Sequence, residues 1–219
     1  MSDLRAVIFD IGGVLTNVGR DRAVAALVAE GLDPKPVFAL MDEAFNSADS
    51  NNPYHRAERG EVGLAAVLEW AEQRVPGASR VFDPEDELYV AGAVEFVPEM
   101  LDVARRARRA GIRVGALSNA IREWSEASTD EAALAFYRNV SPVVFSCDIG
   151  VRKPDPEAFR RMVGLLDVPA HETLLVDDSE VNCAAASALG LHAVHVTDAH
   201  RDASIVADVL RLERRQPGA

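Results

Sequence analysis

The sequence predicts an α/β protein, a doubly wound parallel sheet with a small helical segment inserted after its first strand. Three observations carry this prediction. Short runs rich in Val, Ile and Leu recur along the 219 residues, amphipathic helical stretches separate most of them, and each run ends on polar residues. Buried parallel strands read as such short apolar runs, and alternation with helices implies right-handed crossovers on both sheet faces. In sheets of this kind ligands bind beyond the carboxyl ends of the strands.

The runs and their ends come in order. Leu4 to Phe9 leads to Asp10, Ile112 to Leu117 to Ser118-Asn119, and Pro142 to Phe145 to Ser146. Thr173 to Val176 leads to Asp177-Asp178, and His192 to Val196 to Thr197-Asp198. Between them, Val97 to Ala110 is an amphipathic helix stopped by Gly111. Pro156 to Leu166 starts behind Asp155 as a cap, with proline in its first turn. Glu180 to Leu189 is capped by Asp178 or Ser179 and stopped by Gly190. The stretch from Asn17 to Val94 breaks this rhythm. It contains helical patterns over Arg22 to Glu30, Val37 to Phe45 and Val62 to Arg74, a polar link from Asn46 to Pro53, and no comparable strand. It reads as a helical cap domain over residues 17–94, set into an α/β core of residues 1–16 and 95–219.

Composition narrows the function. Acidic residues outnumber basic ones, 35 to 23, for a net charge of −12, which repels nucleic-acid phosphates. The densest basic run, Arg105 to Arg109, lies on the helix over 97–110 and reads as a solvated face. No apolar stretch is long enough to span a membrane, and the N-terminus lacks the pattern of a secretory signal. Two cysteines, Cys147 and Cys183, have neither disulfide-framework numbers nor metal-ligand spacing and read as buried thiols. A cytoplasmic protein fits all of this, and a small anionic substrate stays open because one pocket can be positive on an acidic protein; oligomeric state is not legible.

The strand ends supply the chemistry. Asp10 sits beside the double glycine Gly12-Gly13, which lets the backbone turn sharply and approach a ligand. Asp177 and Asp178 would repel each other and Asp10 unless a hard cation such as Mg²⁺ neutralised them. Asn182, one turn into the next helix, is placed to hold one of these carboxylates. Lys153, between Arg152 and Pro154, is a cation for the Asp10 carboxylate and an incoming phosphate. Ser118 and Asn119 offer a hydroxyl, an amide and backbone N–H groups to phosphoryl oxygens. Each fragment also has a plain structural reading as a turn, a cap or an exposed lysine.

Taken together in this order, Phe9-Asp10-Ile11-Gly12-Gly13-Val14-Leu15, Leu117-Ser118-Asn119, Arg152-Lys153-Pro154-Asp155 and Val176-Asp177-Asp178-Ser179-Glu180-Val181-Asn182 resemble the four motifs of the haloacid-dehalogenase-like hydrolases. The stretches Glu58-Arg59-Gly60-Glu61 and Ser146 to Pro154 further resemble the branch containing the bacterial α-glucose-1-phosphate phosphatase, itself similar to the phosphatase domain of soluble epoxide hydrolase. The resemblance implies a HAD-like Rossmannoid core with a cap after the first strand. It implies Asp10 as nucleophile and Mg²⁺ held by Asp10, the Gly12 carbonyl and Asp178, with Asp177 and Asn182 in support. Ser118, Asn119 and Lys153 would bind the phosphoryl group, and His55, Arg56 and Arg59 are the cap candidates for recognising the rest of a small phosphorylated substrate. One residue departs from the pattern. Most phosphatases of the family carry a second aspartate, the general acid and base, where this chain has Gly12. Two other readings stay open: a 2-haloacid dehalogenase, which needs neither metal nor second aspartate, and a regulatory protein that has kept the fold without catalysis.

Overall fold

The computed structural model describes residues 4–17, 20–47, 49–86, 88–89, 95–127 and 140–212. Its centre is a five-stranded, all-parallel sheet: β1 (Ala6–Phe9), β2 (Arg113–Ser118), β3 (Val143–Phe145), β4 (Thr173–Asp177) and β5 (His192–His195), in the spatial order β3-β2-β1-β4-β5. This is the predicted fold class. Side chains on a strand alternate between faces, and β1 shows it directly. Val7 and Phe9 join the cluster under helices α5 (Pro98–Arg109) and α10 (Ala199–Val209). Ala6 and Ile8 join the opposite cluster, under α8 (Pro156–Leu166) and α9 (Glu180–Ala188). Both faces are covered, so all four residues of β1 are fully buried.

The inserted region contains α1 (Arg20–Ala29), α2 (Pro34–Asn46), α3 (Pro53–Glu58), α4 (Leu64–Arg74) and a 3₁₀ turn at Ala78–Val81. It has its own apolar cluster, in which Leu27, Val37, Leu40, Ala44, Tyr54, Val67 and Phe82 are buried. Its two ends meet at one point of the core: Asn17 N–H donates to Glu95 O at 2.9 Å and Val97 N–H to Leu15 O at 2.9 Å. Two short helices of the core reach the insertion, α6 (Arg122–Ala127) after β2 and α7 (Ser146–Ile149) after β3. Trp124 of α6 stacks on Phe82 at 6.3 Å between ring centroids, and its indole N–H donates to Phe82 O at 3.0 Å. The α4 N-terminus has no side-chain cap of its own, since its N-cap is Gly63. The carboxylate of Glu123 takes that place from the core, accepting from Leu64 N–H at 3.0 Å. Gly60 closes the seam. Its φ is +69°, and a Cβ there would lie 2.7 Å from Cys147 O, so only glycine lets the turn after α3 sit on α7.

The differences from expectation are local. Strand and helix ends move by one to three residues, as ends do when caps and fraying decide them. Helices α3, α6, α7 and α10 were not anticipated. The first three are four to six residues long, too short for a 3.6-residue period to register. The buried face of α10 is Asp202, Ala203, Val206 and Ala207, while its larger apolar residues Ile205 and Val209 are exposed, so large apolar residues do not mark that face. The tail after Leu212, which the sequence predicts to be frayed, and Asn139, which opens the glycosylation-acceptor pattern Asn139-Val140-Ser141, lie outside the described residues.

Candidate active site

The register of the sheet brings the strand ends together. Phe9 lies opposite Val176 on β4, and Asp10 N–H extends the ladder to Val176 O at 2.8 Å. Asp10 is therefore level with Asp177, at the middle of the carboxyl edge. On the other side Phe9 pairs with Ala116, which puts Ser118 just beyond.

Lys153 arrives from the segment between α7 and α8. Its Nζ lies 2.9 Å from Asp10 Oδ2 and 2.6 Å from Asp177 Oδ2, and the side chain is 1% exposed. A buried ammonium is tolerated only when its charge is matched nearby, and two carboxylates match it here. Asn119 fixes the lysine backbone from both sides: its Oδ1 accepts from Lys153 N–H at 2.8 Å, and its Nδ2 donates to Lys153 O at 2.9 Å. The Asn119 side chain therefore grips Lys153 through its Oδ1 and one N–H of its Nδ2. Ser118 sits at the end of β2, buried, with a 3.5 Å contact from its hydroxyl to Asn119 O.

The two aspartates after β4 have different surroundings. Asp177 is buried and saturated. Its Oδ1 accepts from Asn182 Nδ2 at 2.9 Å and from Ser179 N–H at 3.0 Å, while Oδ2 takes Lys153. Asp178 is exposed. Its backbone carbonyl meets His195 Nε2 at 3.0 Å. One carboxylate oxygen from each of Asp10, Asp177 and Asp178 falls within 4.8 Å of the others.

Electrostatics follow from this crowding. Burial raises the Asp10 carboxyl to about 7; Lys153 pulls it down, and Asp177 and Asp178 push it further up. Burial also raises Asp178, with Asp177 adding to it. Burial alone would lower Lys153, but Asp10 and Asp177 outweigh it and hold the ammonium protonated well above its usual range. The cluster has an excess of negative charge facing solvent, and oxygen donors only. That donor set suits a hard divalent cation.

The loop from Asp10 to Thr16 shapes the cradle. Asp10 Oδ1 accepts from Ile11 N–H at 2.7 Å, and the buried Thr16 donates from both N–H (2.9 Å) and hydroxyl (3.0 Å) to Ile11 O. Gly13 has φ +75°, and a Cβ on it would fall 2.1 Å from Asp178 Oδ2. Backbone and carboxylate thus approach as closely as the absence of a side chain allows. Gly12 is different: a Cβ there would meet nothing within 4 Å.

The three cap candidates do not all face a ligand. His55 is 1% exposed, its Nε2 3.4 Å from Phe45 O, which places it in the packing of the insertion. Burial lowers its pKa, with Arg152 adding to the effect, so the ring is neutral at pH 7. Arg56 and Arg59 share Glu61, at 3.3 and 2.6 Å through their Nε atoms. Sequence reasoning missed three contributors. Buried Ser146 accepts from Ala120 N–H at 3.0 Å and so fixes the loop after β2. Glu58, 3% exposed, pairs with Arg152 Nε at 2.5 Å. Glu123 caps α4. Each acts on a partner far away in sequence, which no local pattern signals.

Comparison with known proteins agrees with this architecture. The haloacid dehalogenase-like hydrolase family profile matches residues 4–190. Mouse acyl-CoA dehydrogenase family member 10 is 27% identical over 197 residues, covering 88% of this chain, although the chain spans only 18% of that protein. The D-ribitol-5-phosphate phosphatase of Bacteroides thetaiotaomicron is 26% identical over 204 residues, covering 85% of this chain and 89% of the relative. Among solved structures, a dehalogenase with an intermediate complex superposes with a TM-score of 0.70 at 19% identity, covering 97% of this chain and all of that one. A HAD family enzyme from Bacteroides thetaiotaomicron, in complex with magnesium and inorganic phosphate, gives 0.62 at 20% identity, covering 88% and 93%. No described helix is long and apolar enough to cross a membrane. The chain belongs to the haloacid dehalogenase-like hydrolase family.

Proposed function

We propose that the protein is a magnesium-dependent phosphatase of small phosphorylated metabolites, working through an aspartyl-phosphate on Asp10. One observation carries the reading: a nucleophile-type carboxylate at the centre of the sheet edge, 13% exposed, with a buried ammonium 2.9 Å away and the exposed Asp178 carboxylate beside it. The names of the relatives, D-ribitol-5-phosphate phosphatase and glyceraldehyde 3-phosphate phosphatase among them, support phosphomonoesters as the substrate class.

In this reading Asp10 attacks phosphorus, the P–O bond to the alcohol breaks, and the alkoxide leaves with a proton taken from water. A second water then attacks phosphorus, releasing inorganic phosphate and the free carboxylate. The Lys153 ammonium has three donors, two of them occupied by Asp10 and Asp177, and the third serves a phosphoryl oxygen. The Ser118 hydroxyl and the Asn119 backbone N–H serve the others. Asp10, Asp178 and the Gly12 carbonyl would hold Mg²⁺, with Asp177 and Asn182 behind them. The ion supplies charge neutralisation for the phosphoryl group in this acidic pocket. Residues 17–94 act as the cap that selects the alcohol. With glycine at position 12 there is no side-chain acid for the leaving group, so esters with good leaving groups are favoured: anomeric sugar phosphates or acyl phosphates.

Hydrolysis of p-nitrophenyl phosphate tests this. Wild type with Mg²⁺ should turn over, and Asp10→Asn or excess EDTA should each lower the rate by at least ~10³-fold, the scale of losing a nucleophile or its electrostatic partner. Turnover that survives Asp10→Asn would refute the assignment. Halide release from a 2-haloacid without metal would replace it with the dehalogenase reading.

A further inference from the structure

Arg152 is next to Lys153 in the chain, yet its side chain turns to the insertion and meets Glu58 through Nε at 2.5 Å. That is its one hydrogen bond among the described residues. Nη1 and Nη2, with four N–H donors in a planar fork, have no protein acceptor there. The arginine side chain is 16% exposed and that of Glu58 only 4%, so the guanidinium is anchored while part of it still reaches solvent. A buried ion pair is weak evidence for stability, since desolvation offsets most of the attraction. Holding an otherwise flexible fork in one orientation is a better account of Glu58.

The neighbourhood is cationic. Arg152, Lys153 and Arg59 all act on the Glu58 carboxyl, whose pKa burial raises. Arg59 and Arg56 share a single Glu61. Three arginines against two glutamates leave a net positive charge beside the site, on a chain whose net charge is −12. Lys153 does not add to it, because Asp10 and Asp177 already match its charge.

Resting on the phosphatase reading, we propose that Arg152 is a specificity-determining residue whose fork, oriented by Glu58, binds a second anionic group on the substrate, remote from the scissile phosphate. The substrate class is then a phosphomonoester that also carries a carboxylate or a second phosphate, the two groups that match a guanidinium fork bidentately.

The test compares kcat/KM within matched pairs of anomeric esters: α-glucuronic acid 1-phosphate against α-glucose 1-phosphate for the carboxylate, and α-glucose 1,6-bisphosphate against α-glucose 1-phosphate for the phosphate. Wild type should favour the doubly anionic member of at least one pair by ~10–100-fold, the scale of one charge-assisted contact. The favoured pair tells carboxylate from phosphate. In Arg152→Met that ratio should fall toward one, mainly through KM of the doubly anionic ester. Arg152→Lys, which keeps the charge without the fork, should give an intermediate ratio. General damage to the fold lowers both members alike and leaves the ratio unmoved, and the wild-type ratio is informative without any variant. A wild type that hydrolyses p-nitrophenyl phosphate but shows no preference in either pair, or a preference untouched by Arg152→Met, overturns the proposal and leaves the phosphatase reading intact. A wild type inactive on every ester overturns both.

Discussion

At the scale of single residues, the two adjacent glycines of the nucleophile loop have opposite meanings. Gly13 takes φ +75°, a backbone conformation L side chains rarely adopt, with the Asp178 carboxylate where a Cβ would sit, whereas Gly12 opens onto free space. A side chain at position 12 is therefore sterically acceptable, and its absence bears on chemistry alone. Gly12→Asp should raise kcat for alkyl phosphates, whose leaving groups need a proton, by up to ~10²–10⁴-fold, with a much smaller effect on p-nitrophenyl phosphate. Equal effects on both substrates would show that leaving-group protonation does not limit the natural enzyme. Asp10, Asp177 and Asp178 were legible in the sequence because each ends or follows a recognisable strand, and Lys153 because it stands before Pro154, just ahead of a helix start. The role of Asn119 was only half legible: a polar residue after β2 was evident, but its grip on the Lys153 backbone joins residues 34 apart.

At the scale of elements, the helix starts illustrate how local chemistry fixes the frame. Asp155 and Ser179 cap α8 and α9 as their positions suggested, each accepting from a backbone N–H inside its helix. The start of α10 is more elaborate. Asp202 Oδ2 accepts from Thr197 N–H and hydroxyl and from Asp198 N–H, while Oδ1 accepts from Arg201 Nε. These bonds hold its carboxyl far below the ordinary range, Arg201 contributing most. A carboxyl with a depressed folded pKa contributes stability that is fully present above its unfolded value, about 4, and is lost as pH falls through the folded one. Asp202→Asn should therefore lower stability by ~1–2 kcal/mol at pH 7. In urea melts the gap from wild type should narrow below about pH 4. A gap that is constant down to pH 2 would mean that the carboxylate charge is not what matters. Helix α10 itself escaped sequence reading: its buried face carries Asp202 and two alanines beside Val206, while Ile205 and Val209 are exposed.

At the scale of the whole molecule, two apolar clusters flank the sheet and a third belongs to the insertion, joined to the core at residues 15–17 and 95–97 and along the seam of α6 and α7. Trp124 is the largest side chain in that seam, with Phe82, Tyr54 and Tyr89 around it. Trp124→Ala should loosen the insertion selectively. Hydrogen exchange should accelerate in α3 and α4 while β1, β2 and β4 keep wild-type protection, at a cost of up to about 3–5 kcal/mol for a large aromatic truncation. Uniform acceleration across sheet and helices would show that the two parts unfold as one unit. The broken βα rhythm after the first strand marked helices between the first two strands in the sequence. How the insertion seats on the core was hidden, because Glu123, Trp124, Gly60 and Glu58 act across the seam and not along the chain.

The covalent role of Asp10 is the claim on which the rest depends, and trapping the enzyme during turnover tests it most directly. Wild type mixed with a hydrolysed phosphomonoester and Mg²⁺, quenched in acid and digested, should yield a phosphorylated, hydroxylamine-sensitive peptide containing Asp10. Asp10→Asn should yield none. Rapid phosphate release with no phosphoryl group on that peptide, or with the group on another residue, would contradict the account.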